Sequence, residues 1–147
     1  MRLRSVLLCL LFSLGLAAPG WAADKTHRLV IQVTEADPAK YNLVLSNAAN
    51  VSQDYSSRGE EVEIEILAYG PGLHMLRADT SPVKERMASF RDGMPNVAFI
   101  ACGNTLKTMA EHERKSTIPL LDGVEVVTTG VARLMQRQEE GWSYVRP

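Results

Sequence analysis

Short apolar runs alternate along the chain with longer stretches whose apolar residues recur at helical spacing. Arg28–Thr34 (RLVIQVT) is β-branched and apolar, the composition of a buried strand. Asp37-Pro38 breaks it and opens a helix with proline at the tolerated first position. Along that helix Val44, Ala48, Val51 and Tyr55 share one stripe, flanked by Leu43, Asn47, Asn50 and Asp54, and Gly59 closes it. Val62–Tyr69 (VEIEILAY) alternates Val62, Ile64 and Ile66 with Glu63 and Glu65; one wet face predicts an edge strand. Gly70-Pro71-Gly72 then forces a loop. A helix opened by Ser81-Pro82 buries Val83, Met87 and Phe90 and stops at Gly93. Asn96–Ala101 (NVAFIA) is a third strand that runs directly into Cys102-Gly103-Asn104-Thr105. The next helix carries Leu106, Met109 and Ala110 on one side and is stopped by Ile118-Pro119. Val124–Thr128 is the fourth strand; a helix from Gly130 sets Val131, Leu134, Met135 and Gln138 at helical spacing, and Trp142–Val145 adds a short last strand after Gly141.

This alternation predicts an α/β fold of three layers (α/β/α), with a mostly parallel five-stranded sheet and right-handed crossovers. With the Glu-rich second strand at the edge, the flavodoxin-like order 2-1-3-4-5 follows. The crevice at the carboxyl ends of the strands then lies between strands one and three, with Cys102 beside it.

The beginning of the chain has a different pattern. Arg2 and Arg4 precede an apolar run from Val6 to Ala18, and Gly20-Trp21-Ala22 sets small residues where a signal peptidase cuts. Residues 1–22 read as a secretory signal peptide and residues 23–147 as one domain, exported to the periplasm and free of the membrane once the signal is removed. Cys9 lies inside the apolar run and leaves with it.

Composition narrows the functional classes. The 147 residues are 46% hydrophobic and 22% charged, ordinary values for a folded chain. A formal net charge of −1, made more negative by loss of Arg2 and Arg4, argues against nucleic acid as a partner. Two cysteines exclude a disulfide-dense scaffold and a four-thiolate zinc site. Glu111-His112-Glu113 is a charged helix face, and no metal or cofactor is expected.

Cys102 is where chemistry is available. Between a strand end and a helix start it meets free backbone N–H groups and the positive end of a helix dipole, both of which favour the thiolate. Gly103 permits close approach, and Asn104 or Thr105 caps the helix or donates to a bound anion. Asn47 and Asn50, three apart on one helix face, and Tyr69 with Gly70 at the end of the second strand, are the further ligand-binding candidates. His74, which follows the Gly70-Pro71-Gly72 loop, is a candidate base for the thiol, though no spacing demands it, and Arg133 is a candidate for an anionic ligand or a surface ion pair.

Phe99-Ile100-Ala101-Cys102-Gly103-Asn104-Thr105-Leu106, Gly130-Val131-Ala132-Arg133-Leu134 and Gly141-Trp142-Ser143-Tyr144-Val145-Arg146-Pro147, with Asn42, Asn47, Asn50 and Ala68–Gly72, resemble the exported branch of the DsrE/DsrF-like proteins. The resemblance spans the mature chain. It implies the three-layer fold, a homo-oligomer (trimer or hexamer), and sulfur relay through a persulfide at Cys102.

Two functions follow. In the first, Cys102 accepts and carries sulfane sulfur, exchanged with a donor or acceptor protein or a small sulfur compound; this is a carrier rather than a turnover enzyme. In the second, the chain is a non-catalytic oligomeric binding module for a small anionic ligand. A nucleotide role is disfavoured because Glu35 and Asp37 stand where a phosphate loop would be.

Overall fold

The computed structural model describes residues 26–147. Residues 1–22, read from the sequence as a signal peptide, with Cys9 among them, and residues 23–25 lie outside the described residues. The strands are β1 (His27–Val33), β2 (Val62–Ala68), β3 (Val97–Cys102), β4 (Val124–Val127) and β5 (Ser143–Val145). The helices are α1 (Pro38–Ser57), α2 (Lys84–Gly93), α3 (Gly103–Glu113) and α4 (Gly130–Glu139). All strand pairs are parallel, in the order β4-β3-β2-β1-β5. The α/β class and the layered parallel sheet are as expected.

The strand order is not. β2 lies between β1 and β3, not at an edge, and the order of strand addition switches side between β1 and β5, so the switch point is there and not between strands one and three. The alternation that suggested a wet face has another cause. Glu65 is 4% exposed because α4 crosses that face and brings two arginines to it. Arg133 donates to Glu65 at 3.1 and 2.6 Å, and the Arg137 guanidinium also donates to it. Only Glu63, near the amino end of β2, is wet.

Odd positions of β1 and their partners face one layer. Leu29, Ile31, Val33, Ile64, Ile66, Phe99 and Ala101 pack there with Tyr41, Val44, Leu45 and Ala48 of α1, with Met87 and Phe90 of α2, and with Leu106 and Met109 of α3. The Asp37 carboxylate caps α1 by accepting from Ala39 N at 2.8 Å. The other face has a smaller core of Val30, Leu67, Ile100, Leu134 and Trp142, covered by α4.

The Gly70-Pro71-Gly72 loop is instead the start of a 3₁₀ turn, Gly70–Leu76, that buries Leu73, Met75 and Leu76. α2 begins at Lys84, after the Ser81-Pro82 signal; the Ser81 hydroxyl accepts from Val83 N. α3 ends at Glu113, before Ile118-Pro119, because Arg114 turns left-handed (φ 53°).

A buried guanidinium ties the 3₁₀ turn to α3. Arg77, 1% exposed, donates to both oxygens of Asp79 (2.9 and 2.7 Å) and to Glu113. Lys115 reaches the same two carboxylates. The Arg77 and Lys115 hydrogen bonds hold Glu113 at about 2, down from 4.5, and hold Asp79 still lower. Removing Arg77 strips a buried charge of its role as a bridge, and Arg77→Ala is expected to cost about 3 kcal/mol in urea unfolding at pH 7. Depressed carboxylate pKa values stabilise the fold above the ordinary range and stop doing so as pH falls through the folded values. The wild-type advantage over Arg77→Ala therefore shrinks between pH 4.5 and about 2. An advantage unchanged by acid contradicts the assignment.

Candidate functional site

The carboxyl ends of β1, β2 and β3 meet the amino ends of α3 and α4, and Cys102 sits at that junction. It is the last residue of β3 and the residue before the first turn of α3. The thiol is 5% exposed. Gly130, first residue of α4, donates its N–H to Cys102 Sγ at 3.2 Å. Two helix amino ends therefore converge on one sulfur. Burial pushes the thiol pKa up, but the Gly130 N–H, the Thr105 hydroxyl and the Thr105 and Asn104 N–H groups outweigh it and hold the thiol below its ordinary value.

Gly130 permits this approach because it lacks a side chain. A Cβ there would stand 3.1 Å from Leu67 Cδ2, 3.2 Å from Cys102 Cβ and 3.4 Å from Tyr69 Cβ. Gly103 is seated in the same way against Val127 O, 3.1 Å from where its Cβ would be. Thr105 Oγ1 accepts from Gly70 N at 3.0 Å, joining the start of the 3₁₀ turn to α3. Asn104 donates through its backbone N–H to Thr128 O (3.2 Å) and through its amide to Thr129 Oγ1 (3.3 Å), which tethers the loop before α4.

Cys102, Tyr69, Gly70, Gly103, Asn104 and Thr105 thus lie together. Asn47 and Asn50 do not join them. α1 starts at the carboxyl edge and runs away from it, so Asn47, nine residues along, is roughly 14 Å down the helix and Asn50 lower still. Asn50 is exposed on the helix flank. His74 is not a partner of the thiol either: its Nδ1 lies 3.3 Å from Thr80 Oγ1. His74 instead lines a groove of about 600 Å³ with Pro71, Asn104, Thr105, Met109 and His112, whose lining does not include Cys102. Arg133 is committed to Glu65.

No family model matches the chain, and no curated protein matches it. Among solved structures, a protein of unknown function, MTH1491 from Methanobacterium thermoautotrophicum, is 36% identical; the match covers 82% of this chain and 99% of that one, with a TM-score of 0.69. The chain belongs to the MTH1491 family. The YchN protein from E. coli is 20% identical over 83% of this chain and all of its own, with a TM-score of 0.55, and shares the fold.

In this MTH1491-family chain, three site residues escaped the sequence reading. Gln32, 8% exposed on β1, accepts from the Tyr144 hydroxyl of β5 and lies beside the Tyr69 hydroxyl. A lone glutamine in an otherwise apolar strand was the available signal. Gly130 stood at a helix start and opened the motif Gly130-Val131-Ala132-Arg133-Leu134, but neither pointed to the sulfur. Tyr144 was visible only as an aromatic near the end of the chain, and its meaning depends on β5 lying next to β1. Arg146 continues the same edge, donating to Glu35 at 2.7 Å.

Proposed function

We propose that this is a periplasmic sulfur-handling protein of the DsrE/DsrF-like kind, with Cys102 as the acceptor and carrier of sulfane sulfur. The observation that carries the reading is the position of the sulfur: almost fully buried at the start of α3, it receives the N–H of Gly130, the first residue of α4, at 3.2 Å. That environment favours the thiolate, the reactive form, and equally favours the anionic outer sulfur of a persulfide. Attack by the thiolate on a sulfane sulfur forms one S–S bond and breaks another, so no separate oxidant is required. With no second cysteine among the described residues, the loaded sulfur leaves by attack of an external thiolate.

The protein acts in this reading as a trimer or hexamer. Val126, Val131 and Met135, 55%, 48% and 56% exposed, support such contacts on and beside α4. The second reading, a binding module for a small ligand, draws on the groove lined by His74 and His112, which does not include the thiol.

Intact mass after brief exposure to polysulfide tests the carrier reading. Wild type is expected to gain whole sulfur atoms, removable by reductant, and Cys102→Ser none. The pH midpoint of alkylation is expected below that of a free cysteine and to rise in Thr105→Val, which deletes one donor to the sulfur. A wild-type protein that gains no sulfur and resists alkylation until unfolded leaves the binding module as the function.

A further inference from the structure

We propose that Asn104 is a positioning residue for Cys102: its hold on Thr128 and Thr129 aims the Gly130 N–H at the sulfur. This rests on the reading of Cys102 as the reacting thiol, and it adds to that site an exposed side chain that does not bond the sulfur.

The starting point is the way two helices begin. Cys102 stands at the N-cap of α3 and Thr129 at that of α4, and neither side chain bonds its own helix. A threonine in that place ordinarily turns its oxygen to an N–H two or three residues on. Thr129 Oγ1 instead accepts from the Asn104 amide at 3.3 Å. The first N–H of α4, that of Gly130, goes to Cys102 Sγ at 3.2 Å. The sulfur is thus the acceptor at the start of a helix to which its own residue does not belong.

A peptide group is planar, so the direction of the Gly130 N–H follows the ψ angle of Thr129, here 117°. Asn104 holds Thr129 from two sides. Its backbone N–H donates to Thr128 O at 3.2 Å, in the peptide group that enters Thr129, and its amide holds the Thr129 hydroxyl. The junction has little slack. A Cβ on Gly103 would stand 3.1 Å from Val127 O, and one on Gly130 would stand 3.2 Å from Cys102 Cβ. Released from Asn104, the Thr129 hydroxyl is free to cap its own helix, and that turn carries the Gly130 N–H off the sulfur.

Among the described residues no charged side chain bonds the sulfur, and its titratable neighbour is Tyr69 of β2, whose Cβ borders the same notch at Gly130. Ionisation of the thiol therefore depends on polar donors and on what aims them. Asn104 is exposed, so replacing it removes no core packing.

The test titrates the thiolate by its ultraviolet absorbance, with Cys102→Ser as the blank, so that a buried thiol is read without a reagent. Asn104→Ala is expected to raise the midpoint by about half a pH unit or more, a roughly threefold loss of thiolate below it. Thr129→Val, which deletes the hydroxyl that Asn104 holds, is expected to raise it too, and Thr129→Ser to leave it in place. The double variant Asn104→Ala with Thr129→Val is expected to go no further than the larger single shift, because both residues act through one contact. Amide exchange followed by NMR separates positioning from general loosening: the Gly130 N–H is expected to exchange faster in Asn104→Ala, and the amides of β1 to β3 at their wild-type rates. An unchanged midpoint in Asn104→Ala, additive shifts in the double variant, or exchange that is unaltered at Gly130 or equally faster in the strands overturns the proposal. So does a wild-type thiol that forms no thiolate before the chain unfolds. Sulfur uptake from polysulfide is read separately by intact mass: wild type that takes up none, with the expected midpoints, removes the sulfur-acceptor reading and leaves the positioning of the thiol standing.

Discussion

Gly72→Ala is expected to lower stability by about 3 kcal/mol or more, measured as the shift in urea midpoint at constant m. Gly72 lies where the 3₁₀ turn docks on the end of β1, its N–H donating to Thr34 O at 3.0 Å. A Cβ at this position would stand 2.3 Å from Val33 O, 2.5 Å from Val33 C and 2.7 Å from Thr34 N. All three are backbone atoms at the end of β1, so no rotamer change relieves the clash. Either β1 or the turn moves. The turn is the element that moves, and with it Gly70, whose N–H is held by Thr105. A second readout follows: faster alkylation of Cys102 in the folded variant. A loss below about 1 kcal/mol, with no change in alkylation, contradicts this account.

The second large effect concerns Glu65. Glu65→Leu is expected to cost about 3 kcal/mol, because it leaves Arg133 and Arg137 without their shared carboxylate. Those side chains are 21% and 18% exposed, so the cost falls at the low end for a broken buried pair. Arg137 also keeps Glu140 and lies 4.3 Å over the Trp142 ring. Burial raises the Glu65 pKa, but Arg137 and Arg133 outweigh it and hold the carboxyl below its ordinary value. Its contribution is present at neutral pH and fades as acid protonates it, so wild type and Glu65→Gln converge at low pH. Replacing all three residues by apolar side chains of similar volume is expected to recover most of the loss. If the triple variant is as unstable as Glu65→Leu, the arginines do more than neutralise the carboxylate.

Glu65 also marks the limit of what the sequence discloses. Alternation along β2 identified a strand and its two faces correctly. It could not distinguish a carboxylate facing water from one facing arginines 68 and 72 positions later. Strand order depended on that distinction and came out wrong. The strand-to-helix junction at Cys102 was legible because the signal is local: an apolar run followed at once by Gly103-Asn104-Thr105. The donor from Gly130, 28 positions away, was not local and was missed. Asn47 and Asn50 show a further gap. Helical periodicity fixes the face a residue occupies, but its height below the rim depends on which end of the helix meets the site. Gln32 and Tyr144 were each visible as an odd residue in its strand, but nothing local pointed to their pairing across 112 positions.

The pairing of β5 with β1 has a consequence for how the chain matures. The four strands β1 to β4 follow one another in space as in sequence, apart from this last addition. A chain emerging from its amino end can assemble β1, β2 and β3 early. It leaves one edge of β1 open until Ser143–Val145 arrive. Until then Tyr144 is missing, Gln32 lacks its donor from β5, and the carboxyl edge is unfinished. Pairing of β5 with β1 closes the longest sequence separation in the sheet, so the Tyr144 to Gln32 bond at its carboxyl edge forms only once nearly the whole chain is present.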